Sequence, residues 1–177
     1  MAFVAAKDKK NILVGSASLL VGATAILAAD IGYTRDGVTL TKAGTFLEVT
    51  PDQVVNPVII QKTGETYTIT TNLLESTLDN IKLAWGESGT VTSSTLSLGI
   101  EATNLEEKVL IFYGQSPKTT AVGTYGERKI TFYSVVSMDY GAMASNRASE
   151  NIIPVTFRAM YDEDESCVAL VEDSGGT

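Results

Sequence analysis

Hydrophobic and polar residues alternate along much of the chain with the period of two that is typical of β-strands. Threonine alternates with apolar residues over residues 65–71, and longer alternating runs cover residues 130–138 and 153–161. Residues 109–113 are continuously apolar, which predicts a strand buried on both faces. Shorter runs predict strands at residues 96–100 and 167–171. The pattern therefore predicts a mainly β fold.

One segment, residues 72–85, departs from this pattern and predicts an α-helix. Four apolar residues would share one face of that helix: Leu74, Leu78, Ile81 and Trp85. Asn72 is the expected N-cap, Glu75 completes a capping box, and Gly86 suits the left-handed turn at the helix end. Because only one face is apolar, we interpret the stripe as core packing and expect the helix to lie on a sheet.

The region between the first apolar segment and the threonine-rich run has a weaker pattern. Asp36-Gly37 lies between two strand-like runs and predicts a hairpin turn. Residues 33–62 are predicted to be a long loop excursion with partial strand character, since proline interrupts them twice. A further turn is predicted at residues 62–65.

The N-terminal region allows two interpretations. Three lysines precede the apolar residues 12–29, which is the order of a secretory signal peptide. The same run is rich in small and β-branched residues, which also fits one or two buried strands. Gly, Ser and Thr interrupt it, which argues against a membrane span. Nothing else divides the chain, so a single domain over residues 1–177 is predicted, with residues 1–10 and 173–177 flexible.

Composition limits the chemistry. The chain has 177 residues, with 13 basic and 21 acidic side chains and a net charge of −8, which argues against a nucleic-acid-binding face. Histidine is absent and Cys167 is the single cysteine, so an intrachain disulfide is impossible and a Cys/His zinc site is not expected. Cys167 lies in an apolar run and is predicted to be buried and inert.

No motif for catalysis emerges. A Ser-His-Asp or Cys-His arrangement cannot form without histidine. Gly86-Glu-Ser-Gly89 superficially resembles a nucleophile elbow, but it follows a helix instead of a strand. The acidic run 162–165 lacks the spacing of a calcium loop, so a solvated hairpin tip is favoured over a cation site or a contact with a basic partner. We therefore predict that the protein is not an enzyme, with no catalytic, metal or cofactor-binding residues and no cofactor.

Three segments in order, residues 31–41, 62–85 and 153–162, resemble the tail tube (major tail) proteins of tailed bacteriophages. The resemblance covers residues 31–165. It implies a β-sandwich or partly open barrel with one flanking α-helix. It also implies that subunits form homohexameric rings, which stack into a hollow tube through which the genome is delivered.

The resemblance further implies partners and a location. The subunit would bind copies of itself, with a tape measure protein inside the tube and tail terminator and tail tip proteins at its ends. DNA would pass without specific binding, no membrane would be bound, and the protein would assemble in the host bacterial cytoplasm and reside in the virion.

Several segments acquire expected roles from this resemblance. Residues 33–62 would reach a neighbouring ring and become ordered on assembly, and the helix would cover the outer side of the sheet. The other side would line a lumen that is wet and acidic, with Glu101, Glu106 and Glu107 as candidates. Deleting residues 1–10 is expected to leave a folded subunit but to impair stacking.

Two alternatives stay open at this point. One is a secreted or periplasmic β-sandwich binding module whose N-terminal signal, up to about Ala25, is cleaved. The intact mass of the mature protein distinguishes that module from a tail tube protein. The other alternative is the inner-tube protein of a contractile injection machine, which shares the fold.

Overall fold

The computed structural model describes residues 17–99, 105–116, 126–146 and 149–174. These residues form nine strands and one helix, in the following order: β1 (Ser18–Gly22), β2 (Ala29–Asp30), β3 (Thr34–Val49), β4 (Ile59–Leu73), α1 (Leu78–Ala84), β5 (Lys108–Ser116), β6 (Gly126–Tyr140), β7 (Ala144–Asn146), β8 (Ser149–Ala159) and β9 (Ala169–Ser174). The predicted mainly β fold with one helix is confirmed.

The strands pair into one open antiparallel sheet in the order β2-β1-β5-β6-β8-β4-β3, with β7 paired to β8. β6 is long enough to hold two partners on one edge. Its first half pairs with β9 and its second half pairs with β8, while β5 occupies the opposite edge. β8 and β9 therefore lie one after the other along the same edge of β6.

The core lies on one face of this sheet, under α1. Alternate residues of β8 point into it, namely Ile153, Val155, Phe157 and Ala159, as their sequence pattern predicts. Tyr161 continues that pattern in the sequence but lies beyond the strand and is 60% exposed. Leu19 and Val21 of β1 also belong to the core, so the interpretation of the apolar run 12–29 as buried strand is confirmed for residues 18–22. Ile26 and Leu27 of the same run are exposed, and residues 12–16 lie outside the described residues.

The predicted alternation of β6 is interrupted by a bulge. Leu110 of β5 pairs with Phe132, whereas Lys108 pairs with Val135, so one residue of β5 faces two residues of β6. Val135 consequently enters the core at the place where the alternation predicted Ser134. β5 itself is buried at both Leu110 and Ile111, as predicted from its continuous apolar run.

The helix is shorter than predicted. It begins at Leu78, and Thr77 is the N-cap, with its hydroxyl accepting a hydrogen bond from the Asn80 N–H at 3.2 Å. Asn72, the predicted N-cap, instead pairs with Pro154 within the sheet. The cause is non-local: Leu73 is fully buried when β4 continues alongside β8, and that burial outweighs local helix signals.

The predicted end of the helix is confirmed, whereas its predicted buried face is confirmed only in part. Gly86 has φ +61°, as expected, and the Gly86 and Glu87 N–H groups bond the Leu83 and Lys82 carbonyls, which forms a Schellman motif. Of the predicted apolar stripe, only Ile81 and Trp85 pack against the core. The fully buried helical positions are Asn80 and Ala84.

Two predicted turns are wrong, because both lie inside strands. Asp36 and Gly37 have positive φ but form a bulge in β3, where pairing with β4 moves from Arg35–Asn72 to Val38–Thr71. The turn expected at residues 62–65 is a second bulge, at Thr63 of β4. The predicted loop excursion over residues 33–62 is therefore a long antiparallel hairpin, which turns at residues 50–58.

Three further predictions concern short segments, namely residues 96–100 and the two ends of the chain. Instead of a strand over residues 96–100, the described part of that run has one isolated bridge between Val91 and Leu96; Ile100 lies outside the described residues. Asp173 and Ser174, expected to be part of a flexible tail, belong to β9, because the Asp173 carboxylate pairs with Arg128 on β6. Residues 1–10 and 175–177 lie outside the described residues.

Candidate interaction surfaces

The most conspicuous surface is the outer part of the β3–β4 hairpin, residues 43–66, which we call the arm. The sheet pairing of β4 with β8 ends at Tyr67, so β4 has only β3 as a partner beyond that residue. Eight large apolar side chains of the arm are exposed: Phe46, Leu47, Val49, Val54, Val55, Val58, Ile59 and Ile60. A two-stranded hairpin is only marginally stable alone. The described chain supplies no further surface on which these apolar side chains are buried.

Both faces of the arm are apolar. Residues directly opposite each other in an antiparallel pair share a face. Leu47 and the Val49–Ile59 pair lie on one face, and Phe46 and Ile60 lie on the other. All five side chains are exposed to solvent, so the described part of the chain covers neither face. The arm therefore has the chemistry of a segment inserted between two surfaces.

Glu65 at the base of the arm is the centre of a cluster of ionic contacts, of which the contact with Lys42 joins β4 to β3. The Glu65 carboxylate accepts a hydrogen bond from Lys62 Nζ at 2.6 Å and lies 3.2 Å from Lys42 Nζ. The Tyr67 hydroxyl donates to the same carboxylate at 3.2 Å, and Lys42 Nζ lies 4.8 Å from the centre of the Tyr67 ring. The hydrogen bonds from Lys62 and Lys42 lower the pKa of Glu65 to about 2. These groups are solvated, so they align the strands more than they stabilise the fold.

A side-chain hydrogen bond joins the two strands of the hairpin inside the body of the sheet, and an ion pair joins the hairpin to β8. The Thr71 hydroxyl donates to the Gly37 carbonyl at 3.0 Å, across the bulge in β3. Arg35 forms an ion pair with Glu150 of β8, which spans the intervening strand β4. These contacts fix the part of the hairpin that lies in the body of the sheet, and the arm continues from it beyond the last β4–β8 pair at Tyr67.

A cavity of about 280 Å³ lies between α1, the first two strands and the core. Glu106 lies on its wall and pairs with Lys82 and Lys108. Partial burial alone would raise the pKa of Glu106, but the hydrogen bond and charge of Lys108, with the charge of Lys82, outweigh it and lower the pKa. The cavity wall is thus internally neutralised at this point.

The structure does not bring the predicted lumen carboxylates together on an open sheet face. Glu106 lies on the helix side, as described above, and Glu107 accepts a hydrogen bond from the Ser134 hydroxyl at 2.9 Å. Glu101 lies outside the described residues. The position of Glu106 on the helix side does not support it as a candidate for the lumen, and Glu107 stays a candidate.

The acidic run 162–165 is an exposed turn closed by the Asp162–Cys167 bridge, which confirms the predicted hairpin tip. Asp162 Oδ1 accepts a hydrogen bond from the Glu165 N–H at 2.9 Å. Cys167 is half-buried and not fully buried as predicted, because it lies at the margin of the sheet after this turn. Within the described ranges, no three His, Cys, Asp or Glu side chains are placed to hold a metal ion.

The sequence interpretation placed a contact segment at residues 33–62 but did not predict that it forms a regular two-stranded arm. Its signal was present: apolar residues 46–49 and 58–60 flank a turn-forming Pro51-Asp52. The pattern was obscured because both faces are apolar, which removes the period-two alternation of a half-buried strand.

Comparisons with known proteins add no family assignment: no protein-family model matches the chain, and no curated protein matches it. Among the described residues, no helix is long and apolar enough to cross a membrane.

Proposed function

We propose that this protein is a non-catalytic structural subunit that polymerises as stacked hexameric rings into the tail tube of a bacteriophage, the conduit for genome delivery. The arm carries the proposal. Five exposed apolar side chains on the two faces of the arm, with three more at its turn, need neighbouring surfaces. A hairpin whose other end is held in the sheet by β8 suits repeated head-to-tail assembly. The mainly β fold, with α1 on one face of the sheet, supports the proposal at this coarser level, although the described strands form one open sheet and not the sandwich or partly open barrel that the resemblance implies.

The proposal keeps β1 in the mature subunit. A signal cleaved near Ala25 would remove Leu19 and Val21, which belong to the core, and would leave their partners in β5 unpaired. This cost favours a virion subunit that retains the segment over a secreted binding module. The inner tube of a contractile machine would use the same surfaces, and the presence of a sheath gene beside this one distinguishes the two.

The test compares two matched charge substitutions. Leu47→Asp places a carboxylate on the arm, and Leu27→Asp places one on the exposed turn between β1 and β2. We expect concentrated parent protein and Leu27→Asp to form hollow tubes in negative-stain electron microscopy. Leu47→Asp should keep the same unfolding midpoint but form no tubes, because a buried unpaired charge is strongly unfavourable at an assembly contact.

Two results contradict the proposal. One is a parent chain that sediments as a monomer at every concentration tested. The other is a Leu47→Asp variant that forms tubes as readily as the parent, which would remove the arm from the assembly contacts.

A further inference from the structure

The cavity beneath α1 has an apolar floor and a charged mouth. Its floor includes Val135 and Phe157, which are buried in the core, and its lining includes the exposed residues Asp30 and Asp79. The volume of about 280 Å³ lies just below the range of about 300–1,000 Å³ that is usual for pockets of drug-sized ligands. The cavity is therefore large enough for a small molecule or for one long side chain.

Two buried side chains in the wall of the cavity have an oxygen that accepts no hydrogen bond within the described residues. Asn80 is 7% exposed, and its amide nitrogen donates to the Ile31 and Glu75 carbonyls, so its oxygen is the end of the amide that lacks a partner. Ser137 is 5% exposed, and its hydroxyl donates to the Ala84 carbonyl at 2.7 Å, which leaves its oxygen able to accept. Buried acceptors without donors are unfavourable, so the cavity favours a ligand that donates hydrogen bonds.

The charges around the cavity favour a cation. Four carboxylates and two ammonium groups belong to residues that line it: Asp30, Asp79, Glu87, Glu106, Lys82 and Lys108. Both lysines pair with Glu106, so neither is available to bind an anion. The other three carboxylates form no ion pair with a described residue. Four negative groups against two positive ones leave the cavity with an excess of negative charge.

A cation with an apolar body fits this combination better than a metal ion does. In the described ranges, no three His, Cys, Asp or Glu side chains are placed to hold a metal ion. A bare ion would also leave the apolar floor in contact with water. An alkyl chain on the floor would instead bury apolar surface, and an ammonium group at its end donates hydrogen bonds but accepts none.

We propose that this cavity is a binding site for a primary ammonium group carried on an aliphatic chain. Asn80 and Ser137 would accept hydrogen bonds from the ammonium, and Asp30 and Asp79 would attract it electrostatically. A lysine side chain has this chemistry, and so does a free alkylamine. The site goes beyond the tail-tube function and does not depend on it, because one subunit supplies the whole cavity.

Ligand-observed NMR with pentylamine tests the proposal, because it detects binding to free subunits and to assemblies alike. The parent protein is titrated with pentylamine, with shorter alkylamines and with pentan-1-ol, which has the chain without the charge. We expect saturable binding of pentylamine, with an affinity that falls about fourfold for each methylene removed. Pentan-1-ol should bind about tenfold more weakly, because a hydrogen bond that involves a charged group is stronger than a neutral one.

Two matched double variants locate the site. Asp30→Asn/Asp79→Asn removes two charges at the mouth of the cavity, whereas Glu163→Gln/Asp164→Asn removes two charges from the exposed turn at residues 162–165. The first pair should weaken pentylamine binding by about 2- to 10-fold, and the second pair should bind like the parent. Thermal unfolding checks that both variants remain folded.

Either of two results overturns the proposal. One is pentylamine binding that does not saturate, which would reflect general attraction to an acidic protein. The other is equal pentylamine affinity in the two double variants, which would remove the cation from this cavity. Neither result bears on tube formation.

A further probe distinguishes the two sources of the ammonium group. Nα-acetyl-lysine N-methylamide carries the same group and chain on a piece of polypeptide backbone. Binding as tight as that of pentylamine would support the site and assign it to a lysine side chain of a protein. Weaker binding than that of pentylamine would support the site and assign it to a free alkylamine, because the backbone would then be obstructed at the mouth.

Discussion

A single strand, β4, passes through two regions of the molecule with opposite environments. At its start, Ile59 and Ile60 are 57% and 61% exposed, whereas Ile69 is 1% exposed and Leu73 is fully buried. Both regions have continuous antiparallel pairing with β3. The two regions differ in what covers their side chains. β8 and α1 cover the body of the sheet, and nothing within the described chain covers the arm.

The comparison teaches that backbone pairing and burial are separate requirements. Hydrogen bonds to β3 pair one edge of the β4 backbone along the strand, including the part where its apolar side chains remain in water, whereas β8 pairs the other edge only from Tyr67 onward. The apolar side chains of the arm therefore add little to the stability of the free subunit. Their contribution is available for association, where burial would yield about 25 cal/mol per Å² of apolar surface.

The largest effect should come from matched phenylalanine truncations in the two regions. Phe157→Ala in the core should lower the free energy of unfolding by about 3–5 kcal/mol. Phe46→Ala in the arm should change it by no more than about 0.5 kcal/mol, as at other exposed sites. Urea denaturation of both variants measures the difference. A comparable loss of stability for Phe46→Ala would show that the arm packs on the body, which contradicts the difference in burial between the two regions.

The N-terminal strand should behave as part of the body. Leu19→Ala removes a buried side chain and should cost about 2–5 kcal/mol of stability. Ile26→Ala, in the exposed turn that follows, serves as the control and should fall within about 0.5 kcal/mol of the parent. A Leu19→Ala variant as stable as the control would remove β1 from the core and revive the cleaved-signal alternative, which an intact mass of the mature protein then decides.

The helix should depend on one buried amide. Asn80 Nδ2 donates to the Ile31 carbonyl at 3.0 Å and to the Glu75 carbonyl at 2.9 Å, which joins α1 to the segment before β3. Asn80→Ala leaves both carbonyls without this donor and should cost about 1–3 kcal/mol in thermal or urea unfolding. Asn80→Asp keeps the size but not the donor, so it should be at least as damaging. Recovery of parental stability by Asn80→Asp would show that packing alone matters.

The smallest effect should be the pH dependence of the arm. The pKa of Glu65 is about 2 in the folded arm against an ordinary value of 4.5, so its ion pairs stabilise strand alignment above pH 4.5. That contribution should be lost as the pH falls from 4.5 towards 2. Amide hydrogen exchange, corrected for its intrinsic pH dependence, should show arm protection falling in this window in the parent, with a flatter profile in Glu65→Gln. Identical profiles would assign the arm's order to its backbone pairing alone.

Local signals predicted those features whose physical cause is also local. Threonine alternation gave the direction of side chains in β4, and the alternating residues 153–159 gave the core face of β8. Gly86 ended the helix because a left-handed residue is needed there whatever lies around it. The candidate surface was less accessible to sequence analysis, because its two apolar faces have no characteristic period and its strands are separated by a proline-containing turn.

The sequence by itself determined a mainly β chain, one helix with a defined end and no recognisable catalytic motif, whereas the structure decided that residues 18–22 form a buried strand. The tertiary structure decided that Asp36-Gly37 is a bulge and not a turn, that the helix begins after Thr77, and that Val135 replaces Ser134 in the core. Each of these depends on a partner strand far away in the chain. Pairing and burial with that partner outweigh local preferences of about 1 kcal/mol or less per residue.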